Sequence, residues 1–142
     1  MNIRAIAALL LSLTLAAFGT GCRCDCTDAA KVVGTWVPES AELGGAAFPL
    51  SSFDGAELHL TADGYEFAGD KGTYRVLSDA WPMPMDIMGK EGPNAGRTIP
   101  AICTLAGDKL IVCYQLGPGE RPTAFVSPAG TQVFLVRYKR AQ

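Results

Sequence analysis

Apolar and polar residues alternate in strand fashion from Val33 onward. In AELHLTADGYEFAG, Leu58, Leu60 and Phe67 fall on one face and Glu57, His59 and Glu66 on the other. Asp63-Gly64 suits a two-residue type I′ turn. That register pairs Ala62 with Tyr65, Thr61 with Glu66 and Leu60 with Phe67. A second hairpin is predicted from residues 98–105 and 109–115, with Gly107-Asp108 as a type II′ pair. It sets Cys103 opposite Val112. Cys103 and Cys113 then point to opposite faces, because a strand turns over at each residue. A disulfide between them is disfavoured unless a bulge shifts the register, and both read as small buried hydrophobes.

Further strands are expected at residues 34–43, 72–77, around 85–88 and at 132–138. Gly44-Gly45 ends the first of them. Pro82 and Pro84 keep the start of the third at an edge or in a loop. Residues 46–55 read as loop or one helical turn. Residues 117–131 read as a Pro/Gly loop with room for a short strand at 123–126. No amphipathic helix of ten residues follows the N-terminal segment. About eight strands in sequential hairpins predict an all-β chain, an antiparallel up-and-down barrel.

The first 21 residues break this pattern. Arg4 precedes an uncharged apolar run from Ile6 to Phe18, the length of a signal-peptide core and short for a membrane span. Gly19, Thr20 and Gly21 then lead into Cys22. This resembles the bacterial lipoprotein signal, in which the cysteine after the cut carries the lipid. Gly19 departs from that pattern, where leucine is usual. The resemblance implies a signal peptide at residues 1–21, lipidation of Cys22, a tether at 22–31 and a barrel domain at 32–142. The tether reaches at most roughly 30 Å. Two or three acyl chains would anchor it stably. The expected location is the cell envelope, on the outer membrane or facing the periplasm; Arg23, a non-Asp residue after the anchor, permits outer-membrane sorting where that rule holds. An ordinary secretory signal cut nearby, leaving Cys22 a plain thiol, is the alternative.

Cys24 and Cys26 add a Cys-x-Cys pair. Structural zinc takes four ligands, usually as two spaced pairs. This chain has one histidine and five cysteines, too few well-spaced donors for that geometry. Export favours disulfides over thiolates. Neither metal nor cofactor is expected. The net charge of −2 and the lack of a Lys/Arg block other than Arg137–Arg140 leave no footprint for nucleic acid.

GTW at Gly34–Trp36, LAGDKLIVCY at Leu105–Tyr114, RPTAF at Arg121–Phe125 and a closing YKR together resemble the lipocalin-like domain of uncharacterised planctomycete-type secreted proteins. Gly34, Trp36, Gly107, Asp108, Leu110, Cys113, Arg121, Pro122 and Phe125 carry the likeness, over residues 32–140. Cys103 departs from it, where an aromatic is usual. The resemblance implies an eight-stranded barrel with an internal cavity. It also implies that Trp36 packs against an arginine, Arg137 or Arg140, which closes the floor. It implies no activity.

No catalytic set stands out. His59 alternates onto the polar face. Ser51 and Ser52 lie near Asp54 but have no evident histidine. G-x-S-x-G and H-E-x-x-H are absent. The chain therefore reads as a non-enzyme. Two functions remain: a barrel that binds a small apolar or amphipathic ligand, or a solid barrel with a structural or protein-interaction role. For the first, Trp36, Phe67, Tyr74 and Trp81 are the expected inner-facing contacts. WPMPMDIM is the expected apolar lining, because methionine adapts to varied shapes. Arg121 fits either a ligand carboxylate or loop carbonyls that lock the crossover.

Overall fold

The computed structural model describes residues 28–142. The signal segment, Cys22, Cys24 and Cys26 lie outside the described residues. After a helical turn, α1 (Asp28–Lys31), come nine strands: β1 (Gly34–Leu43), β2 (Ala46–Phe48), β3 (Leu58–Leu60), β4 (Gly64–Phe67), β5 (Asp70–Val76), β6 (Met83–Glu91), β7 (Thr98–Ala106), β8 (Lys109–Gln115) and β9 (Val133–Arg140). From β3 to β9 each strand pairs antiparallel with the next. β1 pairs with β3 along one edge and with β9 along the other, so eight strands close into an up-and-down barrel. Closure leaves no long free sheet edge.

The ninth strand follows from the shortness of β3. Only Gly34–Trp36 of β1 pairs with β3. The upper half of that edge is taken by β2, with Ala41 opposite Phe48. A 3-10 turn at Leu50–Phe53 then carries Phe53 back over the barrel end. The segment expected as loop or helical turn thus holds a short strand and a turn together. β1 also shifts register between Pro38 and Ser40; proline lacks the ladder N–H and suits such an irregularity.

The second hairpin follows its predicted register, with Cys103 opposite Val112 and Ala106 opposite Lys109. Gly107 has φ +59, a conformation that costs glycine little and other residues more. The first hairpin departs from prediction by two residues. Leu60 pairs with Tyr65, not Phe67. The turn closes on Thr61 and Gly64, and Gly64 does not take positive φ. The Thr61 backbone N–H donates to Gly64 O at 2.8 Å. The Thr61 hydroxyl accepts from the Gly64 N–H at 3.0 Å and lies 3.1 Å from Gly64 O. These bonds set the two-residue turn at Ala62-Asp63, one position before the Asp-Gly pair. A slip of two residues preserves the faces, so Leu58, Leu60 and Phe67 still point inward.

β7, β8 and β9 are apolar on both faces, and each face has its own cover. Inward, Cys103, Leu110, Val112, Val136 and Tyr138 belong to the main core. Outward, Ile102, Cys113, Val133 and Leu135 form a second cluster against Phe125. The long β8–β9 connection folds down the outer wall to make that cover. It holds no strand at residues 123–126. Ser127 ties it back, donating to Val133 O at 2.7 Å.

The barrel floor is sealed from below. Trp36 is fully buried, and its indole N–H donates to Val32 O at 2.8 Å. The Arg140 guanidinium lies 4.2 Å from the Trp36 ring centroid. It donates to Val33 O and Lys31 O, each at 3.1 Å. Of the two arginines weighed from sequence, Arg140 is the one over the indole; Arg137 pairs with Glu42 at 3.0 Å. Gly34 has φ +148, and a Cβ there would come within 2.4 Å of the Arg140 side chain. The last four residues of the expected tether, 28–31, are therefore helical and lead straight into the floor.

Candidate functional site: the barrel cavity

A cavity of about 440 Å³ opens at the end of the barrel opposite Trp36. Its walls come from the alternation already described. Leu58 and Leu60 face in from β3, Tyr65 and Phe67 from β4, Met85 and Ile87 from β6, and Val112 and Tyr114 from β8. The mouth is shaped by an aromatic cluster that local sequence does not bring together. Phe53 lies 5.4 Å from Phe48 and 5.1 Å from Phe67, ring centre to ring centre. Phe48 meets Phe134 edge-on at 5.3 Å. Such edge-on pairs add about 0.5–1.5 kcal/mol beyond area burial.

A polar trio rims the opposite side of the mouth. Asp70 accepts from the Asn94 side chain at 2.7 Å and from its backbone N–H at 3.2 Å. Arg97 donates to Asn94 Oδ1 at 3.0 Å and to Leu116 O. Tyr65 reaches this trio from inside, donating to Asp70 at 3.0 Å. Burial, together with the Asp70 carboxylate beside it, pushes the Tyr65 hydroxyl pKa upward. Tyr74 donates to Thr61 O at 2.6 Å, and burial raises its pKa also.

Deeper, the hydroxyls of Tyr114 and Tyr138 meet at 3.0 Å. Both pKa values are raised, first by burial. These two residues were missed in the sequence reading. The signal was available: alternation from Leu110 through Val112 carries Tyr114 inward, and alternation along β9 does the same for Tyr138.

Of the ligand contacts expected from sequence, Phe67 and Tyr74 line the cavity. Trp36 does not, because it is locked beneath the floor by Val32 and Arg140. Trp81 is 76% exposed. It sits in the β5–β6 connection, outside the barrel, against Phe125 at 6.0 Å between ring centres. Its indole N–H donates to Thr104 at 3.2 Å. Hydropathy alone placed it inward, but Pro82 follows it and β6 begins only at Met83. Within WPMPMDIM, Met85 and Ile87 are the cavity-lining residues.

Arg121 is also outside the cavity. It donates to Met85 O at 2.6 Å, to Ala101 O at 2.9 Å and to Asp86 at 2.6 Å. These bonds lock the long connection onto β6 and β7, the structural of its two readings. Pro122 lies in that same connection. Phe125 covers the outer cluster, and Cys113 contacts Val126 O at 3.6 Å. Asp108 sits in the β7–β8 turn, 3.7 Å from Arg140. Cys103 and Cys113 are free thiols, both buried. Burial pushes the Cys103 thiol up to about 12.

His59 is exposed and contacts the Thr35 hydroxyl at 3.1 Å. Among the described residues, no group of three or more His, Cys, Asp or Glu side chains converges on a common point. No helix among them is long and apolar enough to cross a membrane.

No protein-family model matches this chain, and comparison with curated proteins and with solved structures finds no match either.

Proposed function

We propose that this chain is a lipid-anchored protein of the bacterial cell envelope, related to lipocalin-like proteins, whose barrel carries a small apolar or amphipathic ligand. The observation that carries the reading is the cavity of about 440 Å³, walled by aliphatic and aromatic side chains and open at one end. Its volume lies within the range of small-molecule sites, and its polar groups are few and localised, as such sites require. The cavity favours a carrier over the alternative, a solid barrel with a structural or protein-binding role. The interior offers hydroxyls of raised pKa and a buried thiol but no activated nucleophile. The role proposed is therefore holding and releasing, not catalysis.

Native mass spectrometry of the protein released gently from its own membranes tests both halves. A chain that begins at Cys22 with added acyl mass supports the anchor, and an unlipidated chain refutes it. A reproducible small-molecule mass that disappears on unfolding supports the carrier. A chain that carries none, and binds no apolar dye afterwards, refutes it.

A further inference from the structure

The polar groups that line the cavity differ in whether their protons are spoken for. The Tyr65 hydroxyl is committed to Asp70 and the Tyr74 hydroxyl to Thr61 O. The Tyr114–Tyr138 pair is different. Two hydroxyls bring two protons and make one contact, with each other. One proton closes that hydrogen bond. The other has no acceptor among the described residues: Phe67, Phe134 and aliphatic side chains flank the pair, and the nearby Tyr65 hydroxyl and Cys103 thiol make no hydrogen bond to it. A hydroxyl has one donor proton, so this follows from counting alone.

We propose that the Tyr114–Tyr138 pair is the polar anchor of the cavity, and that it selects a neutral ligand with an acceptor oxygen on an apolar body: an ester, amide, ketone or alcohol. This rests on the carrier reading above. The charge of the ligand follows from the surroundings of the pair. No cation faces it. Arg97 is at the mouth, held by Asn94 and Leu116 O. Arg140 is below the floor, over Trp36. A carboxylate drawn down to the pair would lose its hydration without a counter-charge, which is costly. The raised pKa values of both tyrosines agree, since the same desolvation keeps each hydroxyl protonated and able to donate.

The test compares three probes and three variants. N-phenyl-1-naphthylamine carries no carbonyl or hydroxyl and reports the apolar cavity. Methyl decanoate carries the acceptor, and its binding is read by displacement of the dye. Either single variant, Tyr114→Phe or Tyr138→Phe, keeps one hydroxyl with a free proton and is expected to keep ester binding. The double variant removes the donor and fills the same shape with two phenyl rings, a replacement that folding tolerates well. Its affinity for methyl decanoate is expected to fall about tenfold, the worth of one buried hydrogen bond, with dye binding unchanged. Wild-type protein is expected to bind methyl decanoate more tightly than decanoate. Equal ester affinity in the wild type and the double variant overturns the inference and leaves the carrier reading standing. So does decanoate binding as tightly as its ester, which would place the ligand head on Arg97. If the wild type binds neither dye nor ester, the carrier reading falls and the inference falls with it.

Discussion

Arg140 lies over the Trp36 ring at 4.2 Å while its guanidinium donates to the carbonyls of Lys31 and Val33. One side chain thus clamps the last strand, the first strand and the segment before it. A cation over an indole contributes about 0.5–2 kcal/mol, according to its desolvation. Hydrogen bonds from a charged donor add about 1.5–3 kcal/mol. Arg140→Ala is expected to lower unfolding stability by about 2–3 kcal/mol in urea titrations. Arg140→Lys, which lacks the planar fork, is expected to recover less than half of that.

The two tryptophans report opposite environments. Trp36 is fully buried and Trp81 is 76% exposed. Acrylamide is expected to quench Trp81 strongly in the Trp36→Phe variant and to leave Trp36 nearly unquenched in the Trp81→Phe variant. Equal quenching of both would contradict the floor geometry.

Arg121 separates stability from binding. Its three bonds pin the long connection to Met85 O, Ala101 O and Asp86, all outside the cavity. Arg121→Ala is expected to cost about 2–3 kcal/mol of stability. Dye affinity, measured where the variant is fully folded, is expected to stay within twofold of wild type. A large loss of affinity would return Arg121 to the ligand site.

Alkaline pH loosens the fold through its interior protons. The Cys103 thiol rises from its ordinary value of 9.0 to about 12 in the folded chain. The folded state therefore holds that proton more tightly than the unfolded state. The resulting stability is complete below pH 9 and drains away as pH climbs toward 12, by at most about 4 kcal/mol. The four tyrosines, three of them buried and Tyr114 half-buried, act in the same direction above pH 10. Urea midpoints are expected to fall steeply above pH 9, and less steeply for Cys103→Ala. A flat profile would place Cys103 in contact with water.

The barrel was legible wherever its determinants were local. Gly107-Asp108 and the alternation around it set the β7–β8 register to the residue. The β3–β4 turn was misplaced by one residue, and its register by two, because a threonine side chain, not the Asp-Gly pair, closes it. What alternation cannot see is which elements converge in space. Asp70 and Asn94 are 24 residues apart, and Phe48 meets Phe134 across the mouth. Trp81 shows the opposite error, an apolar residue placed inside by hydropathy when the outer wall offered it Phe125. Apolarity on both faces of β7–β9 was visible in ICTL, LIVC and FLV, yet only the long connection folding outside explains it.

Val32 is fully buried, and Lys31 lends its carbonyl to Arg140, so the chain leaves the barrel at the sealed end. A lipid fixed to Cys22, as proposed, would attach the domain at its sealed base and not at its open mouth. Were the proposed carrier anchored in this way, its ligand would enter and leave at the end of the barrel farther from the point of attachment.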